Sequence, residues 1–224
     1  MAINPIPAIQ SILLTQRSGK ALAFAAGLSL SALCYPFHTA SAATEGGDTV
    51  QRLYDALLNT MKNGRILGQS GRFTQLEPVI RGSFDIPTMA RLSVGPSWAG
   101  LSEAQRQQMT ESYGRYISAI YADRFDSYAG QQLQVTGEDP NAGGIRVKSR
   151  IIKASGEPVE VDYMMHRNGD GWLISDIYLD GAISEVATRR SEFAAILKAE
   201  GIDGLIAALN RKADILTGTT ARAS

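Results

Sequence analysis

From Val50 to Tyr128 the apolar positions recur at helical spacing. Val50, Leu53, Tyr54, Leu57, Leu58 and Met61 form one stripe, which predicts a helix with Asp48 or Thr49 as its cap. Gly64 interrupts the stripe, and residues 65–73 suit either a continued or a broken helix. Residues 74–84 predict a short helix deflected by Pro78. The next begins at Asp85, a capping residue followed by Pro87 in the first turn, and stops at Gly95-Pro96. The most regular stripe, Met109, Tyr113, Tyr116, Ile117, Ile120 and Tyr121, lies in residues 101–128. Ser102 and Gln105 open it at the spacing of a capping box. Gly114 within it marks either a close packing contact or simple tolerance.

After Gly130 the period changes from helical to alternating. Residues 132–137, 144–154, 158–167 and 171–180 read as four strands, separated by glycine-rich joins too short for a parallel crossover. The sheet is therefore expected to be antiparallel. Val147, Ser149 and Ile151 share one face of the second strand, and Arg146, Lys148 and Arg150 the other. Val159, Val161, Tyr163 and Met165 oppose Glu160, Asp162, Met164 and His166 on the third. On the fourth, strict alternation puts Trp172, Ile174, Asp176 and Tyr178 opposite Leu173, Ser175, Ile177 and Leu179, so both faces are expected to be covered. Two helices follow, over residues 183–201, with Ser184 as cap, and over 202–216. The pattern predicts an α+β fold: N-terminal helices, a four-stranded antiparallel curved sheet and C-terminal helices. One domain is expected over residues 43–216, with a polar tail at 217–224.

The N-terminus reads as an export signal. Arg17 and Lys20 supply positive charge, residues 21–33 run thirteen positions without a charge, and Ala40-Ser41-Ala42 has the small-x-small form of a cleavage site after Ala42. The run is shorter than the roughly 20 residues of a bilayer span. Cys34, the only cysteine, precedes the cut, so disulfide scaffolds and thiol enzymes are excluded for the mature chain. With 22 basic and 22 acidic side chains there is no global basic field for nucleic acid. Arg189-Arg190 reads as a solvated helix face.

The residues offer little catalytic chemistry. His166 is the single histidine of the mature chain and reads as a rim residue, with no zinc motif around it. No phosphate-binding glycine loop or nucleophile elbow is present, and no cofactor is implied. Asp176 and Asp180 would lie about 13 Å apart on an extended strand, too far for a glycosidase pair at about 5–9.5 Å. Asp176 alone is either a base in an apolar strand or a carboxylate hydrogen-bonded to backbone or arginine. Set against this is a stock of adaptable apolar residues, including Met61, Met89, Met109, Met164, Met165 and several tyrosines, suited to a core or to a lipid cavity.

Several ordered fragments carry a resemblance. Phe84-Asp85 is followed by "ARLSVGPSW" (90–98), "SEAQRQQM", "YGRYISAIYADRFDSY" (113–128), "VDYMMHRNGDGWLISDIYLDGAIS" (161–184), "RRSEFAAIL" (189–197) and "GIDGLIAAL" (201–209). Over about residues 50–212 the chain resembles the MlaC/Ttg2D (toluene-tolerance Ttg2) family of periplasmic phospholipid-binding proteins, and especially its hopanoid-biosynthesis-associated HpnM branch. The resemblance implies an NTF2-like fold around an apolar pocket and an exported lipid carrier with no covalent step. Its partners would be a phospholipid or hopanoid ligand, an inner-membrane MCE-domain ABC transporter and an outer-membrane lipoprotein complex.

Carried over by position, Val147, Ile151, Val161, Tyr163, Met165 and Ile174 would line the pocket, with Tyr116 and Ile120 from the long helix and Phe84 and Met89 at its mouth. The opposite sheet face is the alternative lining. Trp98 and Trp172 would be framework anchors, and Arg146, Lys148 and Arg150 either meet headgroups or form a solvated face. The competing readings are an NTF2-like hydrolase or isomerase using Asp176 or His166 as base, and an envelope scaffold docking through Arg189-Arg190.

Overall fold

A computed structural model of the chain describes residues 45–219. The export segment, Cys34, the cleavage position after Ala42 and the end of the tail lie outside the described residues. The helical half contains α1 (Glu45–Lys62), α2 (Gly64–Ser83), α3 (Ile86–Val94), a 3-10 turn (Gly95–Gly100) and α4 (Glu103–Arg124). The sheet follows as β1 (Gln132–Asn141), β2 (Gly144–Ile152), β3 (Pro158–Asn168), β4 (Gly171–Leu179) and the short β5 (Ile183–Ser184). The chain then enters α5 (Glu185–Thr217).

Local signals place most of these boundaries. The Asp85 carboxylate accepts from the Thr88 amide at 3.0 Å with Pro87 in the first turn. Ser102 and Gln105 satisfy each other's amides as a reciprocal box. The Ser184 hydroxyl accepts from Ala187 at 3.0 Å. The start of α1 differs from expectation. The chain is already helical at Glu45, so Asp48 favours the positive end of the helix from within its first turn and Thr49 is a buried interior residue.

Two helices bend sharply at Gly68 and Gly201, whose φ of 60° and 68° with extended ψ is a conformation open essentially to glycine alone. The Gly201 bend divides α5 into the two helices the pattern predicts. In α2 the bend comes ten residues before Pro78, which sits inside the second segment. Gly114 is a close-packing position, since a Cβ there would meet the Arg81 side chain at 3.0 Å and Ile86 at 3.1 Å.

The strands pair antiparallel in the order β1-β2-β3-β4-β5, five strands rather than four. The outer edge of β4 is covered at one end by β5 and at the other by the segment before α3. There Phe84 forms a bridge with Ile174, and the Asp85 amide donates to the Ile174 carbonyl at 2.8 Å. Covering an edge in this way removes a template for pairing with another chain.

A β-bulge corrects the faces expected for β4. Met165 pairs with Ile174 but Met164 pairs with Asp176, so Ser175 is the extra residue. Alternation restarts after it, which puts Ile174, Ile177 and Leu179 on one face and Leu173, Asp176 and Tyr178 on the other. The Ser175 hydroxyl satisfies the Met164 carbonyl at the interruption, at 3.2 Å.

The inner face of the sheet presents Val147, Ile151, Val161, Tyr163, Met165, Ile174 and Ile177, all buried in a cluster that continues into every helix. α1 lies directly on it: the Tyr54 ring meets Tyr163 edge-on at 6.0 Å, and its hydroxyl is 2.6 Å from Ser149 Oγ. The outer face of β2 and β3 is polar. Arg146 faces Asp162 at 3.7 Å and Arg150 faces Glu160 at 2.7 Å, while Lys148 pairs with Asp139. Trp98 and Trp172 are half-buried against the cluster edge, Trp172 with the Arg167 guanidinium 5.2 Å from its ring.

Candidate functional site

The ten apolar candidates come together. Phe84 and Met89 enter from the end of α2 and from α3, Tyr116 and Ile120 from α4, and Val147, Ile151, Val161, Tyr163, Met165 and Ile174 from the sheet. All are buried and all belong to one contiguous cluster. Phe84 turns its ring edge-on to Tyr121 at 5.7 Å, and Tyr121 stacks on Phe125 at 5.6 Å. Of the two sheet faces, it is the one bearing Val147 and Val161 that the helices cover.

Among the polar groups inside this interior are two that the apolar pattern did not single out. In the first, Tyr54 meets Ser149, whose hydroxyl also donates to the Val161 carbonyl. Burial pushes the Tyr54 phenol up to about 12, so it remains a neutral hydrogen-bonding group at physiological pH. The second centres on Arg189, which is fully buried and not part of a solvated face as its neighbourhood in the sequence suggests. Its Nε donates to Glu185 at 2.9 Å, and its Nη1 donates to the Tyr116 hydroxyl at 3.2 Å and to Glu192. Its guanidinium carbon also lies 5.6 Å from the Tyr116 ring centre. The spacing Glu185, Arg189, Glu192 at i, i+4 and i+7 is a helical ion-pair signature that was available in the sequence. What the spacing could not supply is Tyr116, from a helix about seventy positions earlier.

Burial pushes the Glu185 carboxyl up to about 7, against the opposing pull of Arg189. Burial likewise raises the Tyr116 phenol to about 12. Arg190, next in sequence, is exposed and donates to the Leu92 carbonyl at 3.0 Å. A docking helix face made of both arginines is therefore not what the fold provides.

The candidate bases are engaged structurally. Asp176 Oδ1 accepts from the amides of Ile177 at 2.8 Å and Val186 at 3.1 Å, and Oδ2 accepts from the Ser184 hydroxyl at 2.6 Å. It ties β4 to the start of α5, which is the backbone-bonded reading of this carboxylate. Asp180, at φ 47°, belongs to the turn after β4 and not to a strand face shared with Asp176. His166 stands half-buried at the rim, its Nε2 2.8 Å from Asp85 Oδ2. Its acidic partner is thus the cap of α3 and not Asp176. No group of three or more metal-ligating side chains occurs among the described residues. No helix among them is long and apolar enough to cross a membrane.

Two surface clefts adjoin this framework. One, of about 620 Å³, opens where α1 meets α2, between Lys62, Arg65, Ile66 and Tyr128. The other, of about 370 Å³, lies between α3 and α5 beside Arg91, Trp98 and Arg190. None of the ten apolar candidates lines either cleft.

The same fold occurs in a phospholipid-binding protein from Ralstonia solanacearum, whose structure was determined in complex with a phospholipid. The two superpose with a TM-score of 0.67 at 22% identity, over 77% of this chain and 99% of that one. The sequence matches the family model described as MlaC protein over residues 51–211. That span reaches from α1 to the last turns of α5, and the chain belongs to the MlaC family.

Proposed function

We propose that this protein is a periplasmic lipid carrier. It holds the apolar part of a phospholipid or hopanoid between the helices and the inner sheet face, and shuttles it between membranes without covalent chemistry. The observation that carries the reading is the set of ten buried residues gathered on one face of the sheet, in a chain of the MlaC family whose fold matches a protein solved with phospholipid. Phe84, Met89, Tyr116, Ile120, Val147, Ile151, Val161, Tyr163, Met165 and Ile174 are the proposed lining, within a lipid-binding unit spanning residues 43–216. Methionine and aromatic side chains suit that role because they repack around irregular apolar ligands.

Shielding is the essential service. Each methylene of an acyl chain costs about 0.8 kcal/mol in water, so a naked lipid does not cross an aqueous compartment unaided. Export through a signal peptide cleaved after Ala42 would deliver the protein to that compartment. An MCE-domain ABC transporter in the inner membrane and a lipoprotein complex in the outer membrane are the proposed donor and acceptor.

Native mass spectrometry of the protein purified from its own host, with lipid extraction, tests the proposal. A stoichiometric lipid is expected and its mass identifies the cargo. Repeated recovery of empty protein that also takes up no lipid from vesicles would sink the carrier reading. The enzyme alternative would require turnover of a defined substrate that Asp176→Asn or His166→Gln abolishes in a folded protein.

A further inference from the structure

Where α1 gives way to α2, the fold holds an exposed aliphatic side chain on a clamped turn. Gly64 packs so closely on the loop after α4 that a Cβ would lie 1.8 Å from the Asp126 carbonyl oxygen. From the other side Arg72 donates to the Gly64 carbonyl at 3.2 Å and to the Ala122 carbonyl at 2.7 Å. The amides of Ile66 and Leu67 both donate to the Asn63 carbonyl at 3.0 Å. Ile66 therefore projects from a fixed backbone, 89% exposed, the most exposed of the large apolar side chains described. Tyr128, 43% exposed, faces it across the cleft of about 620 Å³.

The charge of this cleft is one-sided. Lys62 Nζ lies 5.3 Å from the centre of the Tyr128 ring. Among the described residues, neither Lys62 nor Arg65 has a carboxylate at ion-pair distance, and no acidic side chain lines the cleft. Asp126, the acid of the adjoining loop, accepts from the Ser127 hydroxyl at 2.8 Å. Two uncompensated cations beside a projecting isoleucine and an amphipathic tyrosine match the layering of a lipid surface, with phosphates outermost, then the interface that tyrosine favours, then hydrocarbon.

We propose that this patch docks the protein on an anionic bilayer. Lys62 and Arg65 meet the headgroup phosphates, while Ile66 and Tyr128 enter the boundary with the acyl chains. A folded protein partner would ask for about 800 Å² on each side, whereas a weak and reversible membrane contact needs only a few basic and apolar side chains. Each basic residue near an anionic surface strengthens binding about fivefold. Such a contact suits a molecule that must arrive at a membrane and leave again, but it lies on the surface and does not depend on what the interior holds.

Flotation with phosphatidylcholine vesicles, with and without phosphatidylglycerol, tests the proposal on the protein as its host processes it. Binding should require phosphatidylglycerol and disappear at about 1 M salt. The double variant K62E/R65E should lower partitioning by about tenfold or more, and I66S by about fivefold. Both changes lie on the surface, and unchanged melting temperatures would verify the fold. Bound lipid, weighed in parallel by native mass spectrometry, should be unchanged in both variants, which separates loss of docking from failure of the carrier reading. Wild-type protein that ignores phosphatidylglycerol, or variants that float as well as wild type, would overturn it.

Discussion

Glu185 and Arg189 carry opposite charges one helical turn apart in α5, and the fold takes both out of water. Burying a pair is costly even when the partners meet, and the Glu185 carboxyl registers that cost by rising from 4.5 to about 7. The sign follows from linkage. Between these values the folded protein keeps a proton that the unfolded chain has released, so this group's contribution to stability is greatest below pH 4.5 and declines as pH rises to about 7. The decline is on the order of a few kcal/mol. Glu185→Gln should remove it: the melting temperature of the variant relative to wild type should climb by several degrees between pH 5 and pH 8, read in parallel thermal melts. An unchanged difference across that range would show that Glu185 does not titrate there. Asp176 illustrates the opposite case at this scale. Its sequence setting among apolar residues suggested either a base or a structural acceptor, and three hydrogen bonds from its surroundings decide for the acceptor.

At the scale of elements, what was legible depended on how local the cause is. Asp85, Ser102 and Ser184 cap their helices through contacts three residues away, so a single sequence contains the whole interaction. The bulge at Ser175 was not legible, because it is defined by which residue of β3 faces Asp176. One inserted residue reassigned every side chain beyond it, moving Asp176 away from the face of Ile174. The fifth strand escaped notice for a related reason: two residues have no period, and Ile183–Ser184 is a strand only because β4 offers an edge. The bend at Gly201 can be tested directly. Alanine at φ 68° would be strained by about 1–3 kcal/mol, so Gly201→Ala should lower the melting temperature. Proteolysis should then also open the 200–204 segment faster. A variant as stable as wild type would mean that α5 straightens without loss, and that the bend is not required by the packing of Leu205 and Leu209.

Across the whole molecule, helices from both ends of the described chain close over one face of the sheet, and the ten proposed lining residues lie in that seam. If the seam holds lipid, the ligand is part of the core and binds only the folded state. Stripping it with organic solvent or detergent exchange should lower the melting temperature, and adding phospholipid should restore it with logarithmic dependence on concentration. A stripped protein that melts like the loaded one would place the lipid elsewhere.

One-dimensional pattern was enough for the order of the helices and the four long strands, their antiparallel pairing, the caps at Asp85, Ser102 and Ser184, and the family to which the chain belongs. These are properties of spacing, and spacing is fully present in one dimension. Tertiary structure alone decided that Arg189 is interior and joined to Tyr116, that His166 answers to Asp85, that β4 changes face at Ser175, and that Ile66 stands exposed beside unpaired Lys62 and Arg65. Each of these depends on partners brought together from distant parts of the chain, or on the absence of a neighbour, and no local pattern encodes either.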